Sequence, residues 1–289
     1  MATVNGFNKL SQNDLLNTGV DLAPVLGRPR QQRIFQAIAM INPAVKAPTW
    51  KIPRRDAITV NTVLAESDEA DYTSFTTDAT SITPSVYPVR AFLTAEFEQD
   101  ADATIMAMQD SVDAALESIL DAMDANVLGQ ISNATNTTDH NGVALDKGKF
   151  EAAHLAFKGQ NGDQGEHIFV GSYKQVADIL GAYGNAGGAV YAAPGVVSGA
   201  VASDPSSFYR GTVGGVGLFE GKVPASGGSD VSGAFMIRSM GLALGVWVAL
   251  QVEPMKVPGR VGQDLLCWAR YGTGIVRPEN LREVISLAA

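Results

Sequence analysis

An amphipathic helical pattern runs through residues 105–127. Its apolar stripe repeats at intervals of three and four residues and consists of Ile105, Met108, Val112, Leu116, Ile119, Met123 and Val127. The surrounding stretch, Asp100 to Ile131, contains no basic residue, and acidic residues follow the same spacing on another face. The pattern predicts one helix of about 30 residues, or about 45 Å, which is long enough to act as a strut.

Charge is distributed unevenly along the 289 residues, whose formal net charge is −9. Residues 1–55 contain eight basic and two acidic residues, whereas residues 56–146 contain seventeen acidic residues and one basic residue, Arg90. Such opposite blocks indicate that one part of the chain faces the other, within or between subunits, although ordinary solvated faces are the alternative. The expected intersubunit contacts involve Arg28, Arg30, Arg33, Arg54 and Arg55 on one side, and Glu66, Asp68, Glu69, Asp71, Asp110, Asp113, Glu117, Asp121 and Asp124 on the other.

Residues 51–97 have the pattern of a long β-hairpin. Apolar residues alternate over 58–64 and again on the return over 87–93, and a polar tip lies between them at 66–81. A lone two-stranded hairpin is marginally stable in water. This hairpin is therefore expected to pack against its own domain or against a neighbouring one. Residues 1–50 contain several prolines and show no sustained hydrophobic periodicity, apart from a short helical pattern at 30–41. This composition predicts an extended arm.

The second half alternates between helical and strand patterns. Helices are predicted at 146–159 and 172–184, with a strand at His167–Gly171 between them. Residues 181–205 hold six glycines, seven alanines and a single charge, and are predicted to be a loop. Residues 233–250 join a strand to an apolar helix or strand, and at least three strands follow within 251–287. The fold class is therefore predicted to be α+β.

The sequence offers no catalytic, cofactor-binding or metal-ligating constellation. His140, His154 and His167 have no ligand spacing, and Cys267 lies in an apolar strand where a buried, inert thiol is expected. The glycine-rich stretch 211–217 lacks the dinucleotide-binding spacing and is predicted to be a turn between strands. We therefore expect no catalysis, no metal and no cofactor.

Composition also limits where the chain can act. One cysteine excludes an internal disulfide framework. The longest apolar run, 241–250, is shorter than the about 20 residues that span a bilayer, and the N-terminal residues lack a signal-peptide pattern. A soluble, cytosolic product without a membrane partner is the expectation.

Four motifs in sequence order resemble the major capsid proteins of tailed bacteriophages with the Hong Kong 97 type fold. "FEQDADATIMAMQDSVDAALESILDAMDANVL" is similar to the spine helix of that family and the short segment before it. "HIFVGSYKQVADIL" is similar to the strand and helix of its axial domain, and "YRGTVGGVGLFEGKVPASG" to its characteristic strand pair. "ARYGTGIVRPENLREVISL" is similar to its terminal strands.

The resemblance implies a domain organisation. It consists of an N-terminal arm (1–50), an extended hairpin or E-loop with its base (51–97), a spine helix beginning the peripheral domain (98–145), an axial domain (146–250) and terminal strands (251–289). No lysine lies between Lys51 and Lys147, so a lysine crosslink from the hairpin is not expected. The loop at 181–207, in which Asp204 is the only charged residue, is expected near the capsomer centre.

The resemblance also implies a structural function. The chain would self-assemble into hexamers and pentamers that form an icosahedral shell around viral double-stranded DNA, contacted non-specifically. Portal, scaffolding and decoration proteins are further expected partners, with assembly in the host cytoplasm and a final location in the virion. The alternatives are an encapsulin-type nanocompartment shell, a tail or surface structural protein, and a soluble α/β enzyme with an unidentified site.

Overall fold

The computed structural model describes residues 33–55, 77–94, 107–140, 142–161, 165–185, 197–198, 208–255 and 261–287. The helices are α1 (Phe35–Ile38), α2 (Ala107–Gly129), α3 (Lys147–Asn161) and α4 (Tyr173–Asn185), with 3-10 turns at Gln130–Asn133 and Pro278–Asn280. The first strands are β1 (Met40–Asn42), β2 (Trp50–Arg55), β3 (Thr77–Ile82), β4 (Ser85–Thr94), β5 (Thr137–Asp139), β6 (His167–Gly171) and β7 (Val197–Ser198). The later strands are β8 (Tyr209–Val213), β9 (Val216–Glu220), β10 (Ala225–Gly227), β11 (Asp230–Ile237), β12 (Leu242–Met255), β13 (Gly262–Ile275) and β14 (Leu281–Leu287).

An eight-stranded mixed sheet organises the second half of the chain. Its strand order is β5-β14-β11-β6-β9-β8-β7, and β10 pairs with β11. Successive side chains of a strand point to opposite faces, so β6 and β11 contribute to two cores. Phe169 and Phe235 pack with residues of α3 and α4, whereas Val170 and Met236 pack with residues of α2. Both faces of the sheet centre are therefore buried.

A four-stranded sheet, in the order β1-β12-β13-β4, packs against the same α2 helix. The antiparallel strands β12 and β13 each have 14 residues. Leu265 and Ala269 of β13 lie in one core with Ile119 and Met123 of α2. The helix therefore contributes to a core that contains residues of both sheets.

The helix predicted from the apolar stripe is confirmed over Ala107–Gly129, which has 23 residues. Ile119, Met123 and Val127 of the stripe are buried, as is Ala115 beside them. Residues 100–106 of the predicted stretch lie outside the described part of the chain. The final residues of the predicted helix adopt a 3-10 turn at Gln130–Asn133.

The hairpin of the first half has a different return strand from the one predicted. β2 pairs with β3 from Trp50↔Ile82 to Arg55↔Thr77, and residues 56–76 lie outside the described part. The alternating stretch 87–93 forms β4 as a strand, but β4 pairs with β13 in the four-stranded sheet. The reason is that alternation reveals a strand with one buried face, but it does not identify the neighbouring strand.

The short helix expected at 30–41 is confirmed as α1, but the segment from residue 34 onward is not part of an extended arm, because it packs in the core of its own subunit. Ile34, Phe35 and Ile38 are at most 5% exposed and belong to the core around α2. Burial of these side chains stabilises the short helix α1, which could not persist alone in water. Residues 1–32 lie outside the described part.

Most secondary-structure predictions for the second half are confirmed. Helices α3 and α4 and strand β6 lie where expected, and residues 233–250 form strands β11 and β12. The turn between β8 and β9 holds Gly214 and Gly215 at φ +58° and +81°, a backbone region that favours glycine.

Within the predicted loop, α4 continues to Asn185 and β7 pairs with β8, and the remaining residues of 181–205 lie outside the described ranges. β12 begins within the range predicted as the axial domain but belongs to the four-stranded sheet.

Candidate intersubunit surfaces

The acidic face of α2 contacts the basic segment that precedes the hairpin, within the same chain. Arg33 forms an ion pair with Asp121, and Arg33 Nη2 donates to the carbonyl oxygen of Glu117 at 3.5 Å. The Arg33 side chain is 10% exposed, whereas that of Asp121 is 67% exposed. An ion pair with one well-solvated partner adds little stability, so this contact chiefly fixes where the segment joins the helix.

Asp124 extends the same contact by one turn of the helix. The backbone N–H of Phe35 donates to Asp124 Oδ1 at 2.9 Å. Burial raises the pKa of the Asp124 carboxyl, and the Phe35 N–H and the Arg33 charge act in the opposite direction. The first turn of α1 is therefore attached to α2 by both a side chain and the backbone.

Arg54 is also engaged within the chain. Its Nη2 lies 3.3 Å from Asp78 Oδ2 on the paired strand, and its Nη1 lies 3.7 Å from Glu279 Oε2. Arg33 and Arg54 thus each face carboxylates of their own subunit, which is one of the two alternatives that the charge blocks allowed.

The other predicted contact residues are placed as follows. Arg55 ends β2, Asp110 lies in the first turn of α2, and Asp113 and Glu117 are half-buried on the same helix. Arg28, Arg30, Glu66, Asp68, Glu69 and Asp71 lie outside the described residues. An intersubunit role for all these residues remains a prediction.

Two further ion pairs join distant segments and have no signal in the sequence. Arg90 of β4 pairs with Asp264 of β13, whose side chain is 1% exposed. Arg238 donates through Nε to the carbonyl oxygen of Ala37 at 3.0 Å and faces Glu166 at 3.3 Å. Residues so far apart in sequence become neighbours only through the strand order, so no local pattern predicts them.

Side chains that could hold a metal ion do not converge in the described part of the chain. No group of three or more His, Cys, Asp or Glu residues there could hold a metal ion. His154 Nε2 and His167 Nδ1 are 3.0 Å apart, a contact that sequence spacing did not predict. Cys267 is buried, as expected, and burial raises the pKa of its thiol, which disfavours the reactive thiolate. None of the helices described here is long and apolar enough to cross a membrane.

Comparison with solved structures reveals folds that are similar over almost the whole chain. The capsid of cyanophage P-SCSP1u superposes with a TM-score of 0.67 and 11% identity, covering 94% of this chain and 96% of that one. The capsid of Myoviridae phage XM1 gives a TM-score of 0.65 and 11% identity, covering 93% and 100%. The holo-SrpI encapsulin complex from Synechococcus elongatus PCC 7942 gives 0.63 and 10% identity, covering 93% and 95%.

Sequence comparison adds nothing to this result, since no protein-family model and no curated protein matches the chain. At identities this low, the structural likeness establishes the fold alone. That fold is mixed α+β, as the sequence predicted, and the chain has the fold of tailed-phage major capsid proteins.

Proposed function

We propose that the chain is the major capsid protein of a tailed bacteriophage and has a structural role. The observation that carries this proposal is the likeness to phage capsids over 94% of this chain and 96% of the neighbour. Because the likeness extends over both chains almost entirely, it concerns the whole subunit and not one shared supersecondary unit.

In this proposal, the elements of the fold correspond to the regions that the sequence resemblance implied. β2 and β3 are the base of the E-loop, α2 is the spine helix, and α3, α4 and the eight-stranded sheet form the axial domain. The arm is restricted to residues before Ile34, because that residue and its neighbours pack in the subunit's own core. In this proposal residues 181–207, among which Asp204 is the only charged residue, lie near the capsomer centre, where a low charge permits copies to crowd.

Shell formation follows from heterologous contacts that close into rings. We infer that copies associate as hexamers and pentamers into an icosahedral shell around double-stranded DNA, with assembly in the host cytoplasm. Portal, scaffolding and decoration proteins are the accessory partners of this proposal. No catalytic step is needed for it.

A second candidate is an encapsulin-type shell, favoured by the likeness to the SrpI encapsulin at a TM-score of 0.63. Both candidates predict closed particles, but they differ in the content of the particle. A phage capsid is expected to package DNA in its own host, whereas a nanocompartment is expected to package protein.

The test is direct. The chain is produced with its neighbouring structural genes and purified, and the product is examined by negative-stain microscopy and for nuclease-protected DNA. Closed shells with protected DNA support the capsid, and closed shells with co-purified protein but no DNA support the nanocompartment. Subunits that remain monomeric at all concentrations and salt conditions would refute both.

A further inference from the structure

Two short links connect the eight-stranded sheet to the four-stranded sheet, and they lie side by side. Residues 238–241 lead from β11 to β12, and residues 276–280 lead from β13 to β14. The N–H of Val276 donates to the carbonyl oxygen of Gly241 at 2.9 Å. A Cβ on Gly241 would lie 3.2 Å from the carbonyl oxygen of Asn280. The two links therefore form one close, hydrogen-bonded junction between the sheets.

The strand pair β2–β3, the described part of the hairpin, is attached to the link 276–280. Thr80 Oγ1 of β3 donates to the carbonyl oxygen of Val276 at 3.0 Å. Arg54 Nη1 of β2 lies 3.7 Å from Glu279 Oε2. Val276 also packs in a small core with Ile52 of β2. Both strands of the pair therefore contact this link, through apolar packing as well as polar groups.

Gln160, in the last turn of α3, contacts the same link. Its Nε2 donates to the carbonyl oxygens of Pro278 at 3.1 Å and Glu279 at 3.0 Å, and lies 3.4 Å from that of Leu281. Its Oε1 accepts from Arg282 Nη1 at 3.3 Å. A primary amide both donates and accepts, so this one side chain satisfies the carbonyls and the guanidinium together.

Helix α3 is in turn fixed on the eight-stranded sheet. Phe150 and Phe157 of α3 are buried in one core with Phe169 of β6. Backbone carbonyls that are partly removed from water need donors, and Gln160 supplies them to the link from this anchored helix. The position of the link is therefore tied to the sheet beneath α3.

We propose that Gln160 is a positioning residue that sets the orientation of the β2–β3 pair relative to the eight-stranded sheet. It acts through the link 276–280, because its amide holds the carbonyls of the link, and the link holds β2 and β3 at Val276 and Glu279. The pair and helix α3 then move as one unit. This inference concerns a single subunit, so it holds whether or not copies assemble as the proposed function requires.

Amide hydrogen exchange of the unassembled full-length chain tests the proposal. In Gln160→Leu, the amides of β2 and β3 are expected to exchange about two- to tenfold faster, the effect of losing about one hydrogen bond, whereas those of β6 stay unchanged. Gln160→Glu keeps an acceptor for Arg282 but cannot donate to the carbonyls, and it is expected to show the same pattern. It also serves as the second variant if Gln160→Leu does not fold.

The matched control removes another amide that joins a helix end to a strand. Gln130, directly after α2, donates through Nε2 to Thr273 Oγ1 at 3.2 Å. Gln130→Leu is expected to leave exchange in β2 and β3 unchanged. Equal acceleration of β6 and the β2–β3 pair in the Gln160 variants would indicate a general loss of stability and overturn the proposal, as would no acceleration at all.

Distances between spin labels give a readout that a loss of stability alone would not change. One pair of labels is placed at Ser81→Cys on β3 and Tyr173→Cys on α4, both exposed positions, and the native Cys267 is buried. A reference pair joins Val86→Cys on β4 to Tyr173→Cys. Adding Gln160→Leu is expected to broaden the distance distribution of the first pair and leave that of the reference pair unchanged. Unchanged distributions in both pairs, or equal changes in both, would show that Gln160 does not orient β2 and β3.

Discussion

Arg33 and Asp121 form an ion pair across 88 residues of sequence, and this pair joins the segment before the hairpin to the acidic face of α2. The contact shows that part of the positive charge of residues 1–55 neutralises the helix within its own subunit. Since Arg33 is the more buried partner, at 10% exposure against 67%, the two side chains are not equivalent in their contribution to stability.

Replacing Arg33 should cost more stability than replacing Asp121. Arg33→Ala removes a packed stem as well as a charge, and we expect a loss of about 1–2 kcal/mol. Asp121→Ala should cost about 0–1 kcal/mol because its carboxylate is solvated. Urea unfolding of both single variants and the double variant gives the coupling energy, which we expect to be about 0.2–1 kcal/mol. A coupling near zero would mean that the pair does not help to hold the segment.

Charge reversal at the hairpin base tests whether electrostatics guides assembly. Arg54→Glu with Arg55→Glu should reduce assembly at low salt, and adding Glu66→Lys and Asp68→Lys should restore part of it. High salt should weaken the difference, because the screening length falls to about 3 Å at 1 M. Because Arg54 also faces Asp78 and Glu279, circular dichroism of the unassembled subunit is the control for folding. Normal assembly of the double-Glu variant at every salt concentration would contradict the idea.

A buried amide joins α4 to strands β11 and β14. Gln175 is fully buried; its Nε2 donates to Ser286 Oγ at 2.8 Å and to the carbonyl oxygens of Val231 and Val284 at 3.3 Å. Its Oε1 accepts the N–H of Ser172 at 3.1 Å.

Gln175→Glu should lower the free energy of unfolding by more than about 3 kcal/mol. A carboxylate cannot donate to these carbonyls, and a buried charge would be uncompensated. The loss should shrink when the pH is lowered enough to protonate the carboxyl. Lys174→Gln, at the neighbouring half-buried position, is the matched control and should cost less than about 1 kcal/mol. Equal unfolding midpoints for the two variants would contradict the account.

The elements that the sequence predicted are those whose pattern is local. The stripe of α2, the strand His167–Gly171 and the Gly214–Gly215 turn depend on side-chain periodicity or on a backbone conformation that glycine favours. The partner of β4 depends instead on which apolar surface is available. Tyr87 of that strand stacks on Tyr271, with ring centroids 4.1 Å apart, and those residues are 184 positions apart in sequence.

The contact surfaces were predicted only as blocks of charge. The blocks indicated that basic and acidic segments meet, and the pair between Arg33 and Asp121 agrees with that expectation within one subunit. They did not indicate how the connection between β1 and β2 is held, because its contacts with the distant strand β12 are hydrogen bonds from Val45 to Val246 and from Trp247 to Ala47. Composition reveals that charged segments need partners, but only the packing of the strands reveals which residues become neighbours.

The start of β13 should not tolerate a side chain at position 262. Gly262 has φ +146°, and a Cβ there would lie 2.2 Å from the carbonyl oxygen of Leu93. Gly262→Ala should therefore displace β4 from β13 and destabilise the subunit by more than about 2 kcal/mol. Gly181→Ala is the matched control in helix α4, where nothing lies within 4 Å, and it should stabilise the subunit by about 0.5–1 kcal/mol. Thermal unfolding of both variants checks the prediction, and similar melting temperatures would contradict it.

Acid should destabilise the region around His140. Burial, and next the charge of Lys149, lower the pKa of this imidazole below its usual value of about 6.5. In the described structure, its Nε2 is buried without a hydrogen-bond partner, so the folded state favours the neutral ring.

The sign of the effect follows from proton binding. Between the unfolded pKa of about 6.5 and the lower folded pKa, the unfolded chain binds a proton that the folded chain does not. Stability from the neutral ring is therefore fully present above about pH 6.5 and is lost as the pH falls toward the folded pKa. His140→Gln should remove this part of the pH dependence, measured by urea unfolding of unassembled subunits between about pH 5 and 8. Because the two proteins differ only at position 140, their difference isolates the contribution of that side chain. Parallel stability curves for the two proteins would mean that His140 is as easily protonated in the folded chain as in the unfolded one.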